Sequence, residues 1–110
     1  MLAALLNVPV SSSDWATWSL HHKLDHDEIA DGVYNKYSIR LPQHQLDPIP
    51  MDQVTSWLAR NQESHNEMNA QLSLQSTDLE GVDFADNNQL RSWIYLHYQE
   101  HFTARSKLGI

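Results

Sequence analysis

The sequence predicts a single all-α domain, residues 1–110, with three repeat-related helices joined by extended connectors that contain Pro and Gly. The first observation behind this prediction is an internal repeat, in which a Trp is followed by His or Asn four residues later and by His eight residues later. Its three copies are Trp18-His22-His26, Trp57-Asn61-His65 and Trp93-His97-His101. The second observation is that each copy extends in both directions at helical spacing, which places the repeated residues on one face of an α-helix. The third is length, because a chain of 110 residues fits one domain.

The first ten residues form an apolar arm that contains Leu2, Leu5, Leu6 and Val8, with Pro9 near its end. A long apolar segment at a free terminus is an exposed patch unless something covers it. The arm is therefore predicted to dock onto a partner through those four side chains. Burial of the same side chains within the arm's own domain is an equal alternative.

The repeat also sets the predicted helices. They cover residues of about 14–37, 52–72 and 87–108. Helix one follows a run of Ser and Asp whose side-chain oxygens can accept from the free N–H groups of a first turn. Asp52 and Asp86 are predicted to cap the other two helices. The equivalent exits at Ser38, Ser73 and Gly109 end them, and Gly109 is expected in the left-handed conformation.

Each connector is long enough to return along the helix before it. Pro42, Pro48 and Pro50 exclude helix from the first connector. A connector of about 13 residues reaches about 43 Å when extended, whereas a helix of about 22 residues is about 33 Å long. Three parallel helices with pseudo-threefold symmetry are therefore within reach, and an up-down-up bundle is the alternative.

In the parallel arrangement the repeat places polar layers in the core. One layer contains His22, Asn61 and His97, and the next contains His26, His65 and His101. Three imidazoles suit a Zn²⁺ ion with one open position, and Glu100 or Asp25 would orient the rings.

The preferred interpretation of these layers assigns them no metal and no cofactor. Neutral histidines would each donate one ring N–H to a neighbour, fix the register of the bundle, and have lowered pKa values. Asn61, which breaks the set of histidines, and the absence of Glu-x-x-His and His-Glu-x-x-His spacings favour this interpretation.

Composition excludes several classes of protein. Seven Lys and Arg against fourteen Asp and Glu argue against binding to nucleic acid, and no apolar run approaches the length that crosses a membrane. Without Cys there is no disulfide or thiolate metal site. No Gly-x-Ser-x-Gly elbow or Gly-rich phosphate loop is present, so we do not expect an enzyme. The Trp residues are predicted to fill the core.

The motifs also resemble a family. They are Trp18-x3-His22-x3-His26, Leu41-Pro42 with Leu46-Asp47-Pro48, Trp57-x7-His65-x3-Asn69, Asp78-Leu79-x2-Val82-Asp83 and Trp93-x3-His97-x3-His101 with Leu108-Gly109-Ile110. Over nearly the whole chain this pattern is similar to small virion-associated proteins of tailed bacteriophages, for which no activity is established. The resemblance implies a non-enzymatic structural protein of the head–tail junction or tail. It would be made in the host cytoplasm, reside in the virion and contact other virion proteins in multiple copies.

Two other functions stay open from the sequence. One is a metalloprotein that binds its ion through His26, His65 and His101. The other is a regulatory protein whose acidic surface, with a formal net charge of −7, binds a basic host protein.

Overall fold

The regular structure is helical throughout the part of the chain that the computed structural model describes, which is residues 2–44, Leu46, Ile49 and 51–110. It consists of the α-helices α1 (Ser12–Tyr37), α2 (Val54–Leu72) and α3 (Asn87–Leu108), with short 3₁₀ helices at Leu2–Leu6 and Met51–Gln53. These described residues contain no β-strand, and the prediction of an all-α protein is confirmed.

Pro48 and Pro50, two of the three residues predicted to exclude helix from the first connector, lie outside the described residues. Among the residues that are described, no helix combines the length and the apolar character needed to cross a membrane.

The helix starts differ in how they are capped. Ser11 caps α1, since its side chain accepts from the Asp14 N–H at 3.1 Å. Asp86 caps α3 by accepting from the N–H groups of the second and third residues that follow it. The prediction that Asp52 caps α2 is wrong. Asp52 already lies inside the 3₁₀ turn Met51–Gln53, so winding begins before α2 and its N-cap, Gln53, makes no side-chain hydrogen bond.

All three helices end on a residue in the left-handed conformation. Ser38, Ser73 and Gly109 have φ angles of 58°, 56° and 75°. Only the last is a glycine, and a residue with a Cβ pays roughly 1–2 kcal/mol there. Part of this cost is offset because each cap N–H donates to a carbonyl of the last turn, as Ser38 does to Tyr34 at 2.8 Å.

The N-terminal arm packs onto its own domain. Leu5 is fully buried, and Leu2 and Val8 pack against the same apolar cluster. The 3₁₀ helix Leu2–Leu6 contacts both α1 and α3. Of the four side chains predicted to dock onto a partner, Leu6 is exposed. The other three are buried or partly buried against the domain itself, which agrees with the alternative prediction.

Two apolar clusters fill the core at different heights. The first contains the three Trp residues of the repeat together with Leu5, Leu46, Ile49, Leu58, Leu79, Leu90 and Ile94. The second is formed by Ile29, Val33, Met68, Leu72 and Ala104. Along each helix, the histidines of the repeat follow a Trp of the first cluster and precede an apolar residue of the second. The polar side chains are therefore enclosed by apolar ones.

Each Trp of the repeat donates its indole N–H to the backbone carbonyl of a buried leucine from the segment that precedes its helix. The pairs are Trp18 with Leu5 at 3.2 Å, Trp57 with Leu46 at 2.9 Å, and Trp93 with Leu79 at 3.0 Å. A buried indole N–H needs a partner, and each of these preceding segments offers a carbonyl that α1, α2 and α3 do not use. These bonds fix the arm and both connectors to the helices.

Candidate metal centre

Five imidazoles meet between the two apolar clusters. His22 and His26 come from α1, His65 from α2, and His97 and His101 from α3. One ring nitrogen from each lies within 4.8 Å of those of all the others. Four of the five rings are fully shielded from solvent and His26 is partly buried.

Two acidic side chains orient two of these rings. Nδ1 of His65 lies 2.9 Å from Glu100, and Nδ1 of His101 lies 2.5 Å from Asp25. A carboxylate accepts, so each of these rings carries its proton on Nδ1 and has its lone pair on Nε2. Either acid was predicted for this role from the sequence, and the structure places both against a ring. Pairing of this kind fixes the tautomer of histidines that bind metal.

The acids are themselves held in place. Burial raises the pKa of Glu100, but hydrogen bonds from His65, Asn69 and the Thr77 N–H together bring it below its ordinary value. Asp25 accepts from Arg105 at 2.8 Å through the oxygen that does not face His101. Arg105 has a raised pKa, chiefly because it also bonds to Glu28, so it stays charged beside Asp25.

Four of the five ring N–H donors of the cluster have an acceptor. His65 and His101 donate to the two acids, and His22 donates from Nε2 to the Asn61 side-chain oxygen at 3.1 Å. Nε2 of His97 lies 3.1 Å from Nε2 of His101, which carries a lone pair, so His97 donates in this contact. This much agrees with a network of neutral histidines.

The ring acceptors are not accounted for. Nδ1 of His22, Nε2 of His65 and Nδ1 of His97 are buried without a hydrogen-bond partner among the described residues, and so is Nε2 of His26. The Asn61 amide nitrogen is also unpartnered in this part of the chain. Buried polar groups are normally paired, and each one left unpaired costs about 1–3 kcal/mol. A network of neutral histidines therefore leaves several lone pairs that a cation could use.

The histidines are held in the neutral form that binds metal. Burial lowers the pKa values of His22, His26 and His97 well below the ordinary value, and the neighbouring imidazoles lower them further. The pKa of His101 falls to about 4 because burial outweighs the opposing effect of Asp25. Metal ligation requires neutral imidazole, so at neutral pH these rings need not lose a proton first.

Tryptophans close one side of the cluster. The Trp18 ring stacks on His22 with centroids 4.9 Å apart, and the Trp93 ring stacks on His97 at 4.6 Å. Their planes are inclined by only 15° and 12°. These contacts keep the rings in fixed orientations and separate them from solvent, which strengthens electrostatic interactions in the cluster.

The size of the cluster suits one ion. Zn–N bonds of about 2.0–2.1 Å in a tetrahedron place ligand atoms about 3.4 Å apart. The Nε2 atoms of His97 and His101 are already 3.1 Å apart, while the widest separation in the cluster is within 4.8 Å. A small inward movement of the rings would bring four nitrogens to bonding distance of a single ion, once the His97 proton has moved from Nε2 to Nδ1, which has no partner among the described residues.

The structure brings together all six residues of the predicted polar layers. The rings of His26, His65 and His101 have centroids 4.6 to 5.0 Å apart. Sequence reasoning placed His22 and His97 in a separate layer, whereas their nitrogens belong to the same cluster. The signal was present in the four-residue spacing, because rings one helical turn apart on one face are neighbours.

A buried amide missed by the sequence reasoning holds the second connector beside the cluster. Gln62 donates to the Thr77 carbonyl at 2.8 Å and accepts from the Leu79 N–H. This positions the segment whose Thr77 N–H also donates to Glu100.

Comparisons with protein-family models, curated proteins and solved structures give no match for this chain.

Proposed function

We propose that this domain binds one divalent transition-metal ion in its core, Zn²⁺ foremost, and that the ion joins the three helices. His26, His65 and His101 supply one nitrogen from each helix, and His97 supplies the fourth. The observation that carries the proposal is the convergence of five ring nitrogens within 4.8 Å of one another, with ring acceptors that have no partner among the described residues.

The chemistry of the ligands selects the class of ion. The donors are neutral imidazoles and the chain has no Cys, so the site favours zinc, copper, nickel or iron over magnesium and calcium, which prefer oxygen. The carboxylates of Asp25 and Glu100 lie behind the rings and balance the two charges of the ion. Zinc comes first because four nitrogen ligands around one ion match its usual tetrahedral coordination.

We further propose that α1, α2 and α3 run parallel with pseudo-threefold symmetry. Three observations support this arrangement. The rings of Trp18, Trp57 and Trp93 contact each other with centroids 5.6 to 6.3 Å apart. The residues eleven positions later, Ile29, Met68 and Ala104, share the second apolar cluster. Equivalent Trp–Leu bonds precede the histidines, and equivalent left-handed residues end the helices.

The proposed centre is structural. Four of the five imidazoles are fully shielded from solvent, and a substrate would have to displace the Trp rings that stack on His22 and His97. An ion that binds only the folded state stabilises it by about 4 kcal/mol when its concentration is a thousand times the dissociation constant. This role fits the non-enzymatic protein expected from the sequence. Residence in a phage particle stays a prediction from the resemblance.

Metal analysis of the untagged protein tests the proposal. We expect one zinc per chain after purification without chelator, and a melting temperature that falls when chelator removes it and recovers when Zn²⁺ is added. Cobalt in place of zinc should give the intense visible absorption of a tetrahedral nitrogen site. Replacing His21, which lies outside the cluster, with Asn should leave the metal content unchanged. Metal well below one ion per chain, with no stabilisation by added Zn²⁺, would end the proposal.

A further inference from the structure

A second group of metal-ligating side chains lies where the first connector meets α2. Nε2 of His44 is 3.2 Å from one oxygen of Glu67 and 3.1 Å from the other. Glu63 lies one helical turn before Glu67, and one ligand atom from each of the three residues lies within 4.8 Å of those of the other two. The group combines one imidazole with two carboxylates and shares no residue with the core cluster.

The three side chains are held by two fixed parts of the fold, α2 and the first connector. Glu63 and Glu67 stand on the rigid α2 helix. The connector that carries His44 is anchored two residues later, where Leu46 is buried and its carbonyl accepts from Trp57 at 2.9 Å. The His44 side chain is only 14% exposed. Ligands on rigid elements lose little freedom when an ion binds, which favours binding.

We propose that His44, Glu63 and Glu67 form a second site, on the surface, for a divalent transition-metal ion of the zinc class. One nitrogen and two carboxylates are a ligand set that such ions accept, and water completes the coordination on the exposed side of Glu63. The ion takes the place of the His44 N–H that Glu67 accepts, and that proton moves to Nδ1 or to solvent. It also relieves repulsion between two carboxylates four residues apart on a helix.

The surface site differs from the core site in affinity and geometry. Its ligands are partly exposed, so water competes for the ion and the site is the weaker of the two. Oxygen-rich, water-completed coordination gives cobalt a weak visible spectrum, whereas four buried nitrogens give an intense one. The inference stands independently of the core site, because each site can be removed without touching the ligands of the other.

Titration of metal-free protein with Zn²⁺ by calorimetry, and with Co²⁺ by absorption, tests the inference. We expect one equivalent of metal ion to bind tightly and a second equivalent to bind more weakly. Glu63→Gln should weaken the second at least tenfold and leave the first unchanged, and His44→Asn should do the same. Glu80→Gln, which removes one exposed acid of the second connector, is the matched control and should leave both equivalents intact.

The outcomes separate the two sites. If the wild-type protein shows only the weaker Zn²⁺ binding and no tight binding, the result would count against the core centre and leave the surface site standing. A wild-type protein that binds no ion sensitive to Glu63→Gln and His44→Asn would overturn the surface site and identify the His44–Glu67 contact as an ion pair only.

Discussion

Asp25 and His101 are joined by a 2.5 Å contact between a carboxylate oxygen on α1 and Nδ1 of the ring on α3. Both side chains are buried, and the remaining oxygen of Asp25 bonds to Arg105, whose side chain is 19% exposed. The contact thus links a buried ring to a cation at the surface. Because the Asp25 carboxylate accepts from Nδ1, the lone pair of His101 stays on Nε2, where it accepts from His97 and where an ion would bind in place of that contact.

Asp25→Asn should weaken zinc binding by about 10- to 100-fold, the usual cost of losing a carboxylate behind a histidine ligand. Asn can still accept from Nδ1, but it no longer makes the ring more basic or balances the charge of the ion. Competition with a chromophoric chelator measures the change. Asp27→Asn is the control, since Asp27 is exposed and pairs with Lys23 on the surface of the same helix. Equal affinities for the two variants would contradict the role of Asp25.

Glu100→Gln should reduce both zinc affinity and the stability of the metal-free protein. Glu100 binds His65 at 2.9 Å and also receives the Thr77 N–H at 2.6 Å and the Asn69 amide at 3.0 Å. Gln keeps one accepting oxygen and turns the other into a donor facing an N–H, so a loss of about 1–3 kcal/mol is expected.

Urea unfolding in excess chelator measures the stability of this variant, and Glu80→Gln again serves as the exposed control. Unchanged unfolding free energy with weakened zinc binding would restrict Glu100 to the metal centre and show that its bonds to the second connector contribute nothing measurable.

The fold and the candidate site were predictable to different degrees. The spacing of Trp and His along the chain marked the helices, because a helical stripe is a local property of the sequence. The cap at Asp52 failed because a 3₁₀ turn, set by how the connector enters α2, already included it. The arm could not be assigned from its own residues, because it is held to the domain by Trp18, thirteen residues away, which donates its indole N–H to the Leu5 carbonyl.

The cluster shows the same division between local and long-range information. The sequence named the histidines but not which ring nitrogens remain unpartnered, because that depends on Asp25 and Glu100 choosing the tautomers of His101 and His65. These bonds span 76 and 35 residues. Helical periodicity indicates which residues share a face, and says nothing of the partner that each ring finds on another helix.

Trp93→Phe should destabilise the protein by about 1–3 kcal/mol through its hydrogen bond alone, because the buried Leu79 carbonyl loses its donor. Trp57→Phe leaves the Leu46 carbonyl in the same state. If the three helices are equivalent, the two losses should be similar in urea unfolding, because each variant removes the indole donor of one buried leucine carbonyl. A large inequality would argue that the copies of the repeat have different structural roles.

Gly32→Ala should stabilise the protein by up to about 1 kcal/mol, the gain expected when Ala replaces Gly inside a helix. A Cβ at this position would meet Leu108 Cδ1 at 3.1 Å and Ile110 Cδ1 at 3.3 Å. Both atoms are the ends of flexible side chains near the C-terminus, and Ile110 is exposed, so they can move by the few tenths of an ångström required. A fall in melting temperature would show that Leu108 is held rigidly against α1.

Acid should unfold the metal-free protein through its core histidines. Burial places the pKa values of His22, His26 and His97 well below 6.5, and that of His101 at about 4. An unfolded chain therefore binds more protons than the folded one below pH 6.5, and the free energy of unfolding must decrease as pH falls. Each such histidine contributes up to about 1.4 kcal/mol to the decrease in unfolding free energy for each pH unit. Glu100, whose folded pKa lies below 4.5, adds to the loss as pH falls through its folded value.

Urea unfolding between pH 7.5 and 4.5, with chelator present, measures this slope, and we expect near-constant stability above about pH 7 and a steep decrease below about 6.5. Zinc should move the decrease to lower pH, because protons must displace the ion before the rings can charge. A free energy of unfolding that stays flat down to pH 5 would mean that the imidazoles are solvated rather than enclosed, which would contradict a buried cluster of neutral histidines.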